Sequence, residues 1–235
     1  MPVTEIALLH IRSGEPLHPS SELAAKLCNA QKAQSTFSQH PVYFFTQVED
    51  PSYIYLLSTW NSVAQHMEEW IPSTTNQEFM QSLKDELEVE WMFHVGIDID
   101  KETALPGTNA EPQRRQEDSV FNAPTIAIGR YFITPGKRDE FTKLFAATNI
   151  HLAKFVSPRP FLGAWRLDKG VTTVDDLKAS PAGSEERKEE FVLFTGWDNV
   201  THHLRFAQSD GFHEFQRIRD SVDGAEIKHV VRLSL

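Results

Sequence analysis

Apolar positions fall along the chain in strand-like runs and helical stripes, and these alternate in the same order twice. Residues 4–12, TEIALLHIR, are apolar at nearly every position, the pattern of a strand covered on both faces. Ser20 or Ser21 then caps a helix with Leu23, Leu27 and Ala30 at helical spacing. Residues 42–48 and 53–60 are β-rich runs joined by the turn-type tetrapeptide Glu49-Asp50-Pro51-Ser52, which predicts a hairpin. A stripe of Val63, Met67, Trp70 and Ile71 follows, is interrupted at Pro72-Ser73-Thr74-Thr75, and resumes with Phe79, Leu83 and Leu87. Residues 90–98, EWMFHVGID, read as the last strand. The order is β-α-β-β-α-β, the ferredoxin-like arrangement.

The second half repeats the first. Residues 53–80 return as residues 190–215, with Trp60, Val63 and His66 matching Trp197, Val200 and His203, each pair 137 residues apart. A fixed offset of this kind marks one supersecondary unit used twice. The second unit begins with residues 124–133, PTIAIGRYFI. Thr134 is expected as a helix N-cap with Pro135 at the first helical position, and Phe141, Leu144, Phe145, Thr148 and Leu152 as the buried stripe. Residues 161–168 and 190–197 predict the second hairpin, and residues 229–235, HVVRLSL, the closing strand. The expected domains are therefore 1–98 and 123–235. Residues 99–122, rich in Pro, Gly, Asn and charge, read as a linker. Residues 169–189 form a long acidic loop, read either as a lid or as a disordered segment. A four-stranded sheet with helices on one face leaves its other face apolar, so two copies are expected to cover one another. The fold class is α+β: two ferredoxin-like repeats making an intramolecular barrel.

Composition narrows the partners. The 235-residue chain is 40% apolar with 16 Phe and 5 Trp, so the core is expected to be aromatic-rich. A net charge of −10 argues against binding a nucleic-acid backbone or an anionic membrane surface. The single cysteine, Cys28, excludes an internal disulfide or a cysteine metal site. No apolar run approaches the roughly 20 residues needed to cross a bilayer, and no signal peptide is visible, so the reading is of a soluble cytoplasmic protein.

The strand-end aromatics in residues 58–63 (STWNSV) and 195–200 (TGWDNV), with the helix after each and the Phe-bearing helix that follows, resemble the dimeric α+β barrel superfamily. That group includes antibiotic-biosynthesis-type (ABM) monooxygenases, polyketide cyclases of secondary metabolism, stress-responsive barrel proteins and haem-handling relatives. The resemblance implies a fused, single-chain form of what is usually a homodimer, with a further homodimer left open. It also implies a pocket between each sheet and its helices, and in many members no metal or flavin. No cofactor is expected, which suits a chain without a nucleotide-binding Gly loop.

Candidate chemistry rests on a few side chains. His66 and His203 occupy matching positions; at 100° per residue each sits at the border of the buried stripe, as a structural hydrogen-bonding group or a pocket residue. By resemblance to the cyclases, His213, just before the Phe-bearing helix, is the candidate base; the dipole of a helix start disfavours its imidazolium. The family's partner Tyr would fall near Phe206, which has no hydroxyl, and the first-unit equivalent of His213 is Gln77. A wheel begun at Phe212 turns His213 outward, so an exposed His is the other reading. Arg130, inside an apolar strand, needs a partner: an acidic residue, or a substrate carboxylate or enolate. Trp60, Trp165, Trp197, Tyr43, Tyr131 and Phe206 are expected to bind substrate or to be plain core. No His spacing suits a metal.

The leading expectation is a cofactor-independent enzyme acting on a hydrophobic, aromatic or polyketide-like small molecule. It would be a cyclase, isomerase, decarboxylase or monooxygenase, with His213 or His203 as base and Arg130 steadying negative charge. The alternatives are a non-catalytic small-molecule-binding or stress-responsive barrel and a haem-binding relative.

Overall fold

In the computed structural model of the chain, which describes residues 1–99, 119–168 and 189–235, the N-terminal apolar run becomes β1 (Val3–Ile11). Helix α1 (Glu22–Ser38) follows, capped by Ser21, whose Oγ accepts the Ala24 N–H. The hairpin is β2 (Val42–Gln47) and β3 (Tyr53–Trp60), then come a π-helical turn (Gln65–Trp70), helix α2 (Thr74–Leu83) and β4 (Leu87–Val95). Leu87, expected on the helix, opens β4 instead. The sheet order is β4-β1-β3-β2, all antiparallel, which is the ferredoxin-like order.

The second unit repeats the plan. It comprises β5 (Thr125–Ile133), helix α3 (Arg138–Val156), β6 (Phe161–Trp165), β7 (Glu189–Trp197), the short helices α4 (Val200–Phe206) and α5 (Asp210–Phe215), and β8 (Val222–Arg232), in the order β8-β5-β7-β6. Helix α3 starts later than Thr134 because Gly136 takes a positive φ of 77°, which a helix cannot continue through; Thr134 and Lys137 close a turn instead. A 3-10 turn links α5 to β8, and β8 starts well before residue 229.

By contacts, Leu167, Asp168 and Val231–Leu235 belong to the first unit with residues 1–99, whereas residues 119–166 and 189–230 make up the second. Within the expected linker, Val120–Asn122 forms a 3-10 turn with Val120 and Phe121 buried. Residues 100–118 of that linker, and residues 169–188 of the long acidic loop read as a lid or a disordered segment, lie outside the described residues. Residues of both parities along β1 are buried, Ile6 and Leu8 as well as Ala7 and Leu9.

One cluster in the first unit joins Ala7, Leu9 and Ile11 of β1 to Leu23 and Leu27 of α1 and Leu83 of α2, between sheet and helices. Its counterpart joins Ala127, Tyr131 and Ile133 of β5 to Phe141 and Leu152 of α3 and to Phe206, Phe215 and Ile218. The second cluster is far richer in aromatic rings, and that difference decides which unit keeps a cavity.

Candidate active site

Strand register builds the site in the first unit. Glu5 of β1 pairs with Ser58 of β3 on one side and His94 of β4 on the other, so all three side chains stand on the helix-facing side with Ala7 and Leu9. Glu5 is buried, and its Oε2 accepts N–H from Trp60 Nε1 at 2.9 Å and from Gln34 Nε2 of α1, also at 2.9 Å. A buried carboxylate requires partners of this kind.

His66 completes the group through its π-helical turn. The Ile71 N–H bonds back five residues to the His66 carbonyl, so more residues fill each turn than in an α-helix. A wheel at 100° per residue therefore loses phase here. His66, expected at the border of the core, is 1% exposed, while Met67, expected on the stripe, is 42% exposed. The His66 ring stacks on Trp60 at 4.3 Å between centroids, with interplanar angle 14°. Its Nε2 lies 3.6 Å from Glu5 Oε2, and its Nδ1 is 2.7 Å from His94 Nε2. His94 Nδ1 is in turn 2.9 Å from Asp168 Oδ2, which also accepts the His94 backbone N–H. A line of four titratable side chains thus runs from Glu5 to Asp168. Burial holds the His66 imidazole below its ordinary value; Glu5 and Asp168 pull it upward and His94 adds to the lowering.

Glu5 and His66 line a cavity of about 490 Å³. Most of its wall is apolar: Ala7, Leu9, Leu27, Phe44, Leu56, Trp70, Phe79, Met80, Leu83 and Met92. Gln34 and Asn76 add polar groups, and Arg12, Lys84 and Glu88 also belong to the lining. Glu5 lies near the start of β1 and Arg12 just beyond its end, so the lining follows most of that strand. The volume and lining suit a small hydrophobic ligand.

The second unit preserves half of this arrangement. His203 stacks on Trp197 at 4.4 Å and 17°, and its Nδ1 is 2.7 Å from His229 Nε2, nearly the same geometry as Trp60, His66 and His94. Ala127, however, pairs with Thr195 and His229 as Glu5 does with Ser58 and His94, so the carboxylate has no counterpart there. The Trp197 indole N–H turns to Thr195 Oγ1 at 2.7 Å; in the first unit the indole serves Glu5, and the buried Ser58 hydroxyl has no partner among the described residues. The space is largely filled. The Tyr131 ring lies over Gly129, 3.0 Å from where a Cβ would stand, and with Phe206, Phe212 and Phe215 leaves a cavity of about 80 Å³. Burial pushes the Tyr131 phenol up to about 12, against a small opposing pull from Arg219, so it stays protonated.

The other expected site residues are placed as follows. His203, Trp197, Phe206 and Tyr131 all line the small second cavity, and Trp60 and His66 belong to the first-unit site. His213 is exposed on α5, its Nδ1 3.3 Å from Gln216 Nε2, and lines neither cavity. Arg130 is buried and held by both carboxylate oxygens of Glu190, with Glu226 at 3.3 Å, so its charge is met within the protein. Trp165 packs among Phe141 and Phe191 under the Arg138 guanidinium. Tyr43 lies beneath Arg232 at 4.0 Å and is not part of either lining.

Glu5, Gln34, His94 and Asp168 were not among the expected residues. Two signals for them stood in the sequence: Glu5 shares the parity of the inward Ala7, Leu9 and Ile11, and His94-Val95 recurs as His229-Val230 in the other closing strand.

No protein-family model matches the chain, and no curated protein sequence matches it. Solved structures do. An anthrone oxidase-like protein aligns with TM-score 0.57 and 11% identity over 99% of this chain and 92% of its own. A candidate monooxygenase from Fusobacterium nucleatum subsp. nucleatum aligns at 0.55 and 10%, covering 99% and 93%. A candidate chlorite dismutase aligns at 0.54 and 11%, covering 99% and 95%. At such identities the likeness speaks for fold alone. The chain has the fold of the dimeric α+β barrel superfamily, carried as a tandem repeat within one polypeptide.

Proposed function

We propose that the first unit binds a hydrophobic, aromatic or polyketide-like small molecule and removes a proton from an activated C–H bond, with Glu5 and His66 as the proton-transfer pair. The observation that carries this reading is a carboxylate and an imidazole set side by side in the wall of an otherwise apolar cavity of about 490 Å³. In such surroundings charge is poorly screened, so small displacements of a proton between the two groups change their strength as base and acid.

In the step proposed, the ligand's C–H bond breaks and its proton passes to Glu5 or His66, while the electron pair stays on the ligand as an enolate or phenolate. Returning the proton at another carbon gives isomerisation, and attack on a carbonyl within the ligand gives cyclisation. Transfer of one electron to dioxygen and recombination of the two radicals forms a C–O bond, and loss of water from the resulting hydroperoxide leaves the oxygenated ketone. The likeness to an anthrone oxidase-like protein supports testing anthrone first, whose methylene between two rings is acidic in this sense.

Neither of the matched histidines, His66 and His203, suits a haem. His66 Nε2 faces Glu5 at 3.6 Å and its Nδ1 meets His94, while the second-unit cavity at His203 is about 80 Å³, smaller than a porphyrin. The filled space in the second unit fits a supporting copy; the open cavity in the first does not fit a barrel closed throughout.

The test is solvent exchange. Purified protein is incubated with anthrone in D2O under nitrogen, and deuterium uptake at the methylene is followed by NMR. Uptake above background is expected, falling by about 10² to 10⁴ in Glu5→Gln and His66→Gln and unchanged in His213→Ala. Binding without exchange would favour a carrier, and exchange indifferent to both substitutions would sink the assignment.

A further inference from the structure

The hydrogen-bonded line behind Glu5 has a direction, and one residue at its far end sets it. Asp168, as a carboxylate, can only accept, and its Oδ2 sits 2.9 Å from His94 Nδ1 while also taking the His94 backbone N–H. His94 Nδ1 must then carry a proton, and in the neutral ring that leaves a lone pair on Nε2. The 2.7 Å contact between His94 Nε2 and His66 Nδ1 holds a single proton, so His66 Nδ1 supplies it. His66 Nε2 is thereby left bare, and that nitrogen is the one 3.6 Å from Glu5 Oε2. The reverse order would place a proton on Nε2 and spend the base.

We infer that Asp168 is a positioning residue which, through His94, fixes the tautomer of His66 so that an unprotonated Nε2 faces Glu5 in the first-unit cavity. This rests on the proton-transfer reading of that cavity for its use, though not for its geometry. The side chain of Asp168 is 24% exposed and that of His94 1%, so the anchor touches solvent while the rings it orients do not. The titratable groups facing His66 among the described residues are Glu5 on β1 and His94 on β4, with Asp168 acting through His94. Indirect anchors of this kind set which nitrogen of a working imidazole is free.

The experiment is long-range proton–nitrogen NMR on protein labelled with ¹⁵N-histidine, near pH 7.5. In the wild type both rings are expected to show a proton on Nδ1 and a bare Nε2. In Asp168→Ala the populations of His94 and His66 should move toward Nε2–H, and anthrone exchange should fall at least about tenfold in kcat with KM little changed. Asp168→Glu should restore both. A wild-type His66 carrying its proton on Nε2, or tautomers untouched by Asp168→Ala, would overturn the inference. If Asp168→Ala does not fold, the wild-type spectrum alone decides. Tautomers as expected with no exchange in any variant would refute the proposed reaction and leave the anchor standing.

Discussion

A histidine that is 1% exposed and bonded on one nitrogen to a second histidine carries an energetic consequence that can be measured without a substrate. The His66 ring ordinarily takes a proton near pH 6.5, and burial lowers that in the folded chain. Below pH 6.5 the unfolded chain therefore binds more protons than the folded one, and stability falls as pH falls. The loss has a slope of up to about 1.4 kcal/mol per pH unit and levels off once the folded ring also protonates. Urea unfolding between pH 7.5 and 5 should show a shallower decline for His66→Gln than for the wild type. Equal slopes would mean that folding leaves the His66 titration unshifted, and a steeper decline in His66→Gln that the fold favours the charged ring. At this scale the sequence was only partly legible: the repeat singled out His66 and His203, but nothing singled out Glu5, which the register with His94 places inside.

Elements decide what the cavity can hold. In the first unit the small Ala7 and the slender Leu9 of β1 leave the space above them open, whereas on β5 a Tyr131 ring folds over Gly129 and fills it. Ala7→Phe should therefore project a ring into the first cavity, leaving a folded protein that no longer quenches Trp60 or Trp70 fluorescence on adding anthrone. Retained quenching would show that the ligand lies elsewhere. Strands and caps were readable from pattern, since period-2 and period-3.6 signals are local. The π-helical turn was not, because its extra residue per turn breaks the wheel used to read it, and the late start of α3 was hidden behind a Pro135 that looked like a first helical residue.

Across the molecule the two copies keep a Trp–His–His stack of almost identical geometry and differ in the carboxylate and the space beside it. Ala127→Glu would place a carboxyl where the cavity is about 80 Å³ and the Trp197 indole is already bonded to Thr195. It should cost about 1–3 kcal/mol, read as a lower Tm, and should not create exchange activity in a His66→Gln background. A neutral or stabilising effect would mean that the second unit can still accommodate the acid. The sequence by itself determined the duplication, the β-α-β-β-α-β order, the aromatic core and the matched histidines, because each is carried by spacing along the chain. Only the tertiary structure decided which copy holds an open cavity and a proton-transfer pair. Glu5, His66, His94 and Asp168 meet through strand pairing and contacts spanning up to 89 residues, and whether a ring fills or spares a space depends on what packs beside it.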